Sequence, residues 1–186
     1  LLDPNDVEIV SGSSKTNVNG TNLFKPTSTG AQIGAGLIVS TLSTDDVVVT
    51  TQSDNAGDGT ITISSAITTS NTSTRELTFF AAEDIAVNAN ITAGSAKTNI
   101  YLQAQGNVTV ADSINITTKG GSFTVGGAND LGRALGGTQG QAGSFTLGTG
   151  TISTVGVDDA PGGAVIIKSV VRSDASLQAA TTGNIL

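Results

Sequence analysis

The sequence of 186 residues contains no cysteine, histidine, methionine or tryptophan. Without cysteine, the chain has neither disulfides nor a thiolate nucleophile. Without histidine, it lacks the side chain that most often acts as a general base or binds a transition metal. Its eight Lys and Arg residues are scattered singly and its net charge is −7, which argues against a nucleic-acid partner. No apolar run approaches the ~18 residues of a membrane span. We therefore expect no nucleic acid, no membrane insertion and no cofactor.

The residues that are abundant favour β-strands. Most long apolar side chains are Val, Ile or Leu, and they alternate with Thr, Ser and Asn over short stretches. β-Branched side chains suit the pleated, half-buried surface of a sheet. No window carries the i, i+3, i+4, i+7 stripe of a long amphipathic helix. The 24 glycines can supply tight corners between strands. The composition predicts an all-β chain.

One pattern of apolar and polar residues occurs twice, about 23 positions apart. The stretch "LTFFAAEDIAVNANITAG" at 77–94 is followed by "IYLQAQGNVTVADSINITTKG" at 100–120. Five apolar positions recur at this spacing: Leu77, Phe79, Ile85, Val87 and Ile91 correspond to Ile100, Leu102, Val108, Val110 and Ile114. Continuing the first two at a period that drifts between 20 and 23 predicts two core columns, namely Leu77, Ile100, Phe123, Phe145 and Val165, and Phe79, Leu102, Val125, Leu147 and Ile167.

A period of this size in an all-strand chain is typical of a solenoid, because each repeat buries its apolar side only against its neighbours. The predicted fold is a right-handed parallel β-helix (a β-solenoid) with about 20–23 residues per coil and roughly eight coils. Residues 1–186 then form a single β-helix segment. Within it, we expect an irregular loop or strap at 11–36, a strand at 37–42 and a long loop excursion at 126–143. Neither end of the sequence shows a cap, so we expect open coil ends that continue or pair end to end.

Three stretches resemble a known family. They are "LLDPNDVEIV" at 1–10, "STLSTDDVVVTTQSDNAGDGTITISSAI" at 40–67 and "LTFFAAEDIAVNANITA" at 77–93. Together they resemble the filamentous-haemagglutinin-like large exoproteins of bacteria, over about residues 1–120. The resemblance implies a β-helical shaft that is exported by two-partner secretion and displayed at the bacterial cell surface for adhesion or self-association. These exoproteins are far longer and open with a secretion domain that is not found in this sequence, so we expect a fragment.

Few residues suggest chemistry. The stretch "DNAGDG" at 54–59 offers Asp54 and Asp58 as weak calcium ligands, but a solvated turn is the favoured interpretation. Acidic pairs occur at 45–46, 83–84 and 158–159. Adjacent residues of a strand point to opposite faces, so such a pair is not itself a catalytic dyad. We expect these acids to be corner residues.

Three functions remain open on the sequence. The favoured one is a non-catalytic structural or adhesive shaft, whose partners are copies of itself, other surface proteins or glycans. A polysaccharide-active enzyme would need acids and a base from several coils on one face, for example Asp112, Asp130 and Arg133, and the last two also mark a contact loop. A carbohydrate-binding module would use Tyr101 or an exposed Phe80 as a stacking platform.

Overall fold

The computed structural model of the chain describes residues 6–52, 59–126, 142–157 and 160–168. These residues form eighteen strands in three sheets and a single helix. The all-β class predicted from composition is therefore confirmed, with one short helical exception.

Each sheet consists of strands from widely separated parts of the chain. The strands of each sheet are named below in their spatial order, so that consecutive strands are hydrogen-bonded to each other. The first sheet contains β16 (Ser144–Leu147), β13 (Asn107–Val110), β10 (Ile85–Val87), β7 (Ile61–Ile63), β1 (Val7–Val10), β5 (Ala31–Gly34) and β2 (Lys15–Thr16). The second sheet contains β17 (Ile152–Ser153), β14 (Ile116–Thr117), β11 (Ile91–Ala93) and β8 (Ile67–Thr69). The third sheet contains β18 (Val165–Ile167), β15 (Phe123–Gly126), β12 (Thr98–Ala104), β9 (Arg75–Ala81), β6 (Val47–Thr50), β4 (Leu23–Pro26) and β3 (Val18–Asn19).

From β7 onward the chain visits the first, second and third sheets in turn. It does so four times in the described residues, as β7–β9, β10–β12, β13–β15 and β16–β18, and we call each set of three strands a layer. Every strand of a layer pairs in parallel with the strand of the same sheet in the next layer. In the first sheet, for example, Ile61 pairs with Ile85 and Ile85 pairs with Val108. Equivalent residues of successive layers therefore lie side by side.

The core lies between the three sheets and runs through all the layers. Alternate residues of each strand point into it, and members such as Ile61, Leu77 and Ile91 are fully buried. Burial of one such side chain contributes about 1.5–3 kcal/mol. The Phe123 and Phe145 rings meet there with centroids 6.3 Å apart and planes tilted by 53°. This continuous apolar interior explains why one sequence pattern recurs from layer to layer.

The predicted core columns need one correction. In the third sheet Leu77, Ile100, Phe123 and Val165 pair in succession. Phe145 instead pairs with Val108 in the first sheet. Similarly, Phe79, Leu102, Val125 and Ile167 pair in succession, whereas Leu147 pairs with Val110.

The cause is an interruption of the period. The step from Phe123 to its partner Val165 is almost twice the step from Ile100 to Phe123, because the chain between β15 and β16 is longer than in the layers before it. A constant period treats this added length as a further coil and so assigns Phe145 to the wrong sheet. A smaller shift occurs in the second sheet, where Ile91 pairs with Ile116 rather than with the predicted Ile114. The excursion predicted at 126–143 lies mostly outside the described residues.

Residues 37–42, predicted as a strand, belong to the helix α1 (Ala35–Leu42). Its buried residues are Ala35, Ile38 and Leu42, which lie on one helical face at spacings of three and four. These residues belong to the common core, and the helix lies against β8 and also contacts β5, β6 and β9. The β-branched composition of "LIVSTL" favours a strand, but burial of this face outweighs a propensity difference of well under ~1 kcal/mol per residue.

One end of the three sheets is covered. In the first sheet β2 pairs antiparallel with β5, and in the third β3 pairs antiparallel with β4, whereas the other strand pairs are parallel. In the second sheet α1 lies against β8, where a preceding strand would otherwise pair. The expectation of an open end is therefore corrected at this end. Residues 11–36, predicted as an irregular loop or strap, contain the four strands β2 to β5 that build much of this cover.

Candidate functional site

Corner carboxylates accept hydrogen bonds from the backbone of the layer that lies next to them in the stack. The Glu76 N–H donates to Asp46 Oδ1 at 2.9 Å, and the Asn107 N–H donates to Asp84 Oδ1 at 2.6 Å. The Thr149 N–H donates to Asp112 Oδ1 at 3.0 Å. These acids stand just before or after a strand, where the backbone turns and its N–H groups need acceptors. They therefore link successive layers. Asp46 and Asp84 belong to two of the acidic pairs predicted from the sequence to lie at corners, and each directly precedes a strand. The pair at 158–159 lies outside the described residues.

Two asparagines form equivalent hydrogen-bonded links between layers along the second sheet. The Asn115 N–H donates to Asn90 Oδ1 at 2.8 Å. Asn115 Oδ1 in turn accepts from the Thr151 N–H at 3.0 Å and from Thr151 Oγ1 at 2.7 Å. One amide column thus ties three successive layers together at the entry to this sheet.

A buried polar cluster fills the corner between the second and third sheets. Thr69 Oγ1 and Thr98 Oγ1 lie 3.2 Å apart, and Thr98 Oγ1 donates to Asn71 Oδ1 at 3.4 Å. Asn71 Nδ2 donates to the backbone oxygens of Ser73 at 2.7 Å and Lys97 at 3.2 Å. The Thr69, Thr98 and Asn71 side chains are almost fully buried. Because each has a partner inside the corner, the cluster is structural and offers no group to a ligand.

The outer face of the third sheet carries the single tyrosine. Tyr101 lies between Thr78 and Thr124 in the outward row and is partly exposed. Its hydroxyl donates to Glu76 Oε1 at 3.4 Å. Burial, followed by the nearby charges of Glu76 and Asp46, raises the pKa of the Tyr101 phenol above its usual value. Tyr101 therefore stays a neutral hydrogen-bond donor over a wider pH range than a free phenol.

On the same face, one of the two aromatic residues predicted as a stacking platform is not accessible. Phe80, expected to be exposed, is only 1 % exposed although its position points away from the core. It pairs laterally with Thr50 and Gln103, which are also buried. Gln103 Nε2 has no hydrogen-bond partner among the described residues. Of the two aromatic side chains proposed for stacking, only Tyr101 is accessible.

The candidate residues for metal binding or catalysis are not brought together in the described part of the chain. Asp54, Asp58, Asp130 and Arg133 lie outside it. Asp112 is described and exposed, but its carboxylate is engaged by the Thr149 N–H. Among the described residues no group of three or more Asp or Glu side chains could hold a metal ion.

One surface feature was missed by sequence reasoning. Thr68, Thr92, Thr117 and Ser153 form a single column of hydroxyls on the outer face of the second sheet. Their separations along the chain grow from one step to the next, so no constant period finds them. Asn90 and Asn115 stand just before β11 and β14 on the same outer side. The face is almost free of charge. Its hydroxyl and amide groups make it polar and keep it hydrated.

Comparison with protein-family models, curated proteins and solved structures found no match. The described residues contain no helix that is long and apolar enough to cross a membrane.

Proposed function

We propose that the chain is a right-handed parallel β-helix that serves as a non-catalytic, extracellular shaft or fibre component of a bacterial surface exoprotein. The observation that carries this proposal is the parallel pairing of equivalent strands from layer to layer in all three sheets. The resemblance to filamentous-haemagglutinin-like exoproteins supports the surface location and an adhesive role.

The physical basis is mechanical. Backbone hydrogen bonds run along the axis of the stack, and the apolar core is continuous beneath them. The side-chain links of Asp84 and Asn115 add further connections in the same direction. Bending such a rod would have to break many of these contacts together. Stiffness and resistance to local opening follow, and these are the properties a shaft needs.

Engagement of the acids supports a role without catalysis. A hydrolase or lyase on the flank of the stack needs carboxylates that are free to exchange protons with a substrate. Asp46, Asp84 and Asp112 instead each hold a backbone N–H of the next layer. Substitution of these three acids is therefore expected to destabilise the stack of layers rather than to remove a catalytic group.

A second candidate function, glycan binding, is favoured by one observation. Tyr101 is partly exposed on the outer face of the third sheet, and its hydroxyl donates to the Glu76 carboxylate. An aromatic face and nearby hydrogen-bonding groups are the usual elements of a sugar subsite. With one accessible aromatic residue, such a site would accommodate a single sugar ring.

Deletion of one whole layer tests the shaft. Removal of residues 85–107 joins Asp84 to Val108, which is the in-register partner of Ile85. The Asp84 carboxylate then stands before Val108, where Asn107 stood. We expect this variant to fold and to be shorter by about 5 Å, the spacing of one strand. The readouts are the maximum dimension from small-angle X-ray scattering and a cooperative urea transition.

The matched control is deletion of residues 96–107, which removes about half a layer. It brings residues of different sheets into register and should prevent cooperative folding. If both deletions abolish folding alike, the repeating layer is not the structural unit. Release of sugar from a panel of polysaccharides by the intact chain would overturn the non-catalytic assignment.

A further inference from the structure

A row of polar residues lies on the outer side of the third sheet, where its strands begin. Asp46 directly precedes β6, Glu76 is the second residue of β9, and Asn99 is the second residue of β12. Glu76 pairs in register with Asn99. Asp46 stands on the other side of Glu76, because the residues that follow these two acids are paired as well. Adjacent strands are about 4.8 Å apart, so the three residues are close neighbours.

Tyr101 lies beside this row, two residues after Asn99 and therefore on the same side of β12. Its hydroxyl donates to Glu76 Oε1 at 3.4 Å. After burial, which is the largest cause, the charges of Glu76 and Asp46 raise the pKa of the Tyr101 phenol, so both carboxylates lie near it. Asp46 is exposed, and the other three residues are partly exposed. We call these four residues the tyrosine cluster, and it is open to the solvent.

The two carboxylates of the tyrosine cluster are held in place but keep part of their acceptor capacity. Asp46 Oδ1 accepts from the Glu76 N–H at 2.9 Å, and Glu76 Oε1 accepts from the Tyr101 hydroxyl. Each carboxylate has a second oxygen, and an ionised carboxylate offers about four acceptor positions. Two fixed negative charges with remaining acceptor positions suit a ligand that carries a positive charge and donates several hydrogen bonds.

The basic residues nearest to the tyrosine cluster along the chain are directed elsewhere. Arg75 directly precedes Glu76, so its side chain leaves the strand on the opposite side, and its Nε is buried. Lys97 stands in the corner before β12, and its Cε lies 3.4 Å from the position of a Cβ at Gly120. Gly120 precedes β15, which lies on the opposite side of β12 from β9. Neither basic side chain belongs to the tyrosine cluster, which is therefore acidic.

We propose that the tyrosine cluster binds a sugar that carries a free amino group, such as one unit of a glucosamine polymer. This inference rests on the glycan-binding function proposed for Tyr101. The protonated amine donates hydrogen bonds to the Glu76 and Asp46 carboxylates, and it lies near an aromatic ring, whose face attracts cations. Asn99 Oδ1 already accepts from the Ser122 N–H at 2.9 Å, so the Asn99 amide group is left to donate to a sugar hydroxyl.

The charge of the whole chain favours the same ligand. A net charge of −7 attracts a cationic glycan at long range and repels a sulfated or carboxylated one. Because the tyrosine cluster is open to the solvent, salt screens this attraction. Affinity for an amino sugar should therefore fall as the ionic strength rises, whereas affinity for a neutral sugar should stay nearly constant.

The test compares two glycans that differ in charge, with the full chain as the binding protein. A short oligomer of glucosamine carries protonated amino groups at slightly acidic pH, whereas the oligomer of N-acetylglucosamine of the same length is neutral. Tyr101 is the only tyrosine and the chain has no tryptophan, so tyrosine fluorescence reports binding at this cluster. We expect the glucosamine oligomer to bind about twofold to tenfold more tightly, because two exposed carboxylates contribute.

Glu76→Gln removes one of these charges and retains the shape of the side chain and an acceptor for the Tyr101 hydroxyl. It should weaken binding of the glucosamine oligomer about twofold to fivefold and leave binding of the acetylated oligomer unchanged. Glu83→Gln is the matched control, because Glu83 is an exposed glutamate in the corner between the third and first sheets. An equal loss in the two variants would reflect net charge alone and would overturn the inference.

The oligomer comparison also separates this inference from the function on which it rests. Equal affinity for the two oligomers would overturn the amino-sugar assignment and leave glycan binding at Tyr101 standing. Unchanged tyrosine fluorescence with both oligomers would overturn the assignment and the glycan-binding function together. The shaft proposal is tested separately, by deletion of one layer.

Discussion

Substitution of Asn115 tests whether the corner amides hold the layers together. Its Oδ1 accepts from both the N–H and the hydroxyl of Thr151, at 3.0 and 2.7 Å. Asn115→Ala removes both hydrogen bonds, each of which contributes about 0.5–1.5 kcal/mol net. Because Asn115 and Thr151 are exposed, water can replace the lost acceptor and no buried unpaired donor is created. The expected loss in the free energy of unfolding is therefore about 1–2 kcal/mol, near the lower end of the sum of two such bonds.

Urea unfolding followed by far-ultraviolet circular dichroism measures this loss. The midpoint should fall while the slope with urea stays unchanged, since the folded state buries the same surface. Asn115→Asp retains an acceptor oxygen and should remain within about 0.5 kcal/mol of the parent chain. Asn88→Ala is the matched control, since it removes an exposed asparagine that makes no side-chain hydrogen bond in the described structure. An alanine variant as stable as the parent, or an aspartate variant as unstable as the alanine one, would refute the reasoning.

Further substitutions address the core, a corner and the tyrosine. Phe79→Ala should cost about 3–5 kcal/mol in urea unfolding, because Phe79 is fully buried between Val49 and Leu102, whereas Thr92→Ala on an outer face should cost under about 0.5 kcal/mol. Gly163→Ala should lower the free energy of unfolding by about 1–3 kcal/mol, because the added Cβ would overlap the backbone oxygen of Gly121. An unchanged urea midpoint would show that the corner can relax. Glu76→Gln should lower the raised pKa of the Tyr101 phenol, and ultraviolet titration reports this residue alone, since the chain has one tyrosine. Because the pKa of the Tyr101 phenol is higher in the folded chain than in the unfolded chain, the neutral phenol contributes to stability. This contribution is fully present below the pKa of the unfolded chain and is lost as the pH rises through the pKa of the folded chain.

The sequence predicts those parts of the fold in which the period is uninterrupted. Leu77, Ile100 and Phe123 share one inward position because two equal steps along the chain separate them. Phe145 could not be assigned to its sheet by the same reasoning, since the longer connection before it changes the step. Periodicity counts residues along the chain, whereas pairing depends on which strand lies next in space.

The helix and the corner links show two other limits. The α1 segment has a strand-like composition and becomes helical because Ile38 and Leu42 can bury one face in the common core. The corner positions of Asp46 and Asp84 could be predicted from their place beside apolar stretches. Their bonding partners, the backbone N–H groups one layer further on, could not, because the separation along the chain depends on the length of each layer. The prediction that Phe80 is exposed was wrong because alternation predicts the side of a sheet but not what covers it.

A disulfide test examines most directly whether successive layers stack in the observed strand pairing. The chain has no cysteine, so introduced pairs can be read without background. Thr109 and Thr146 are adjacent partners in β13 and β16, within the distance that a disulfide spans. The layered structure predicts that the pair Thr109→Cys and Thr146→Cys oxidises to an intramolecular disulfide, detected by intact mass, while Thr124→Cys with Thr146→Cys does not. Crosslinking of the second pair in place of the first would place β16 over β15, as a constant period requires, and would contradict the layered structure.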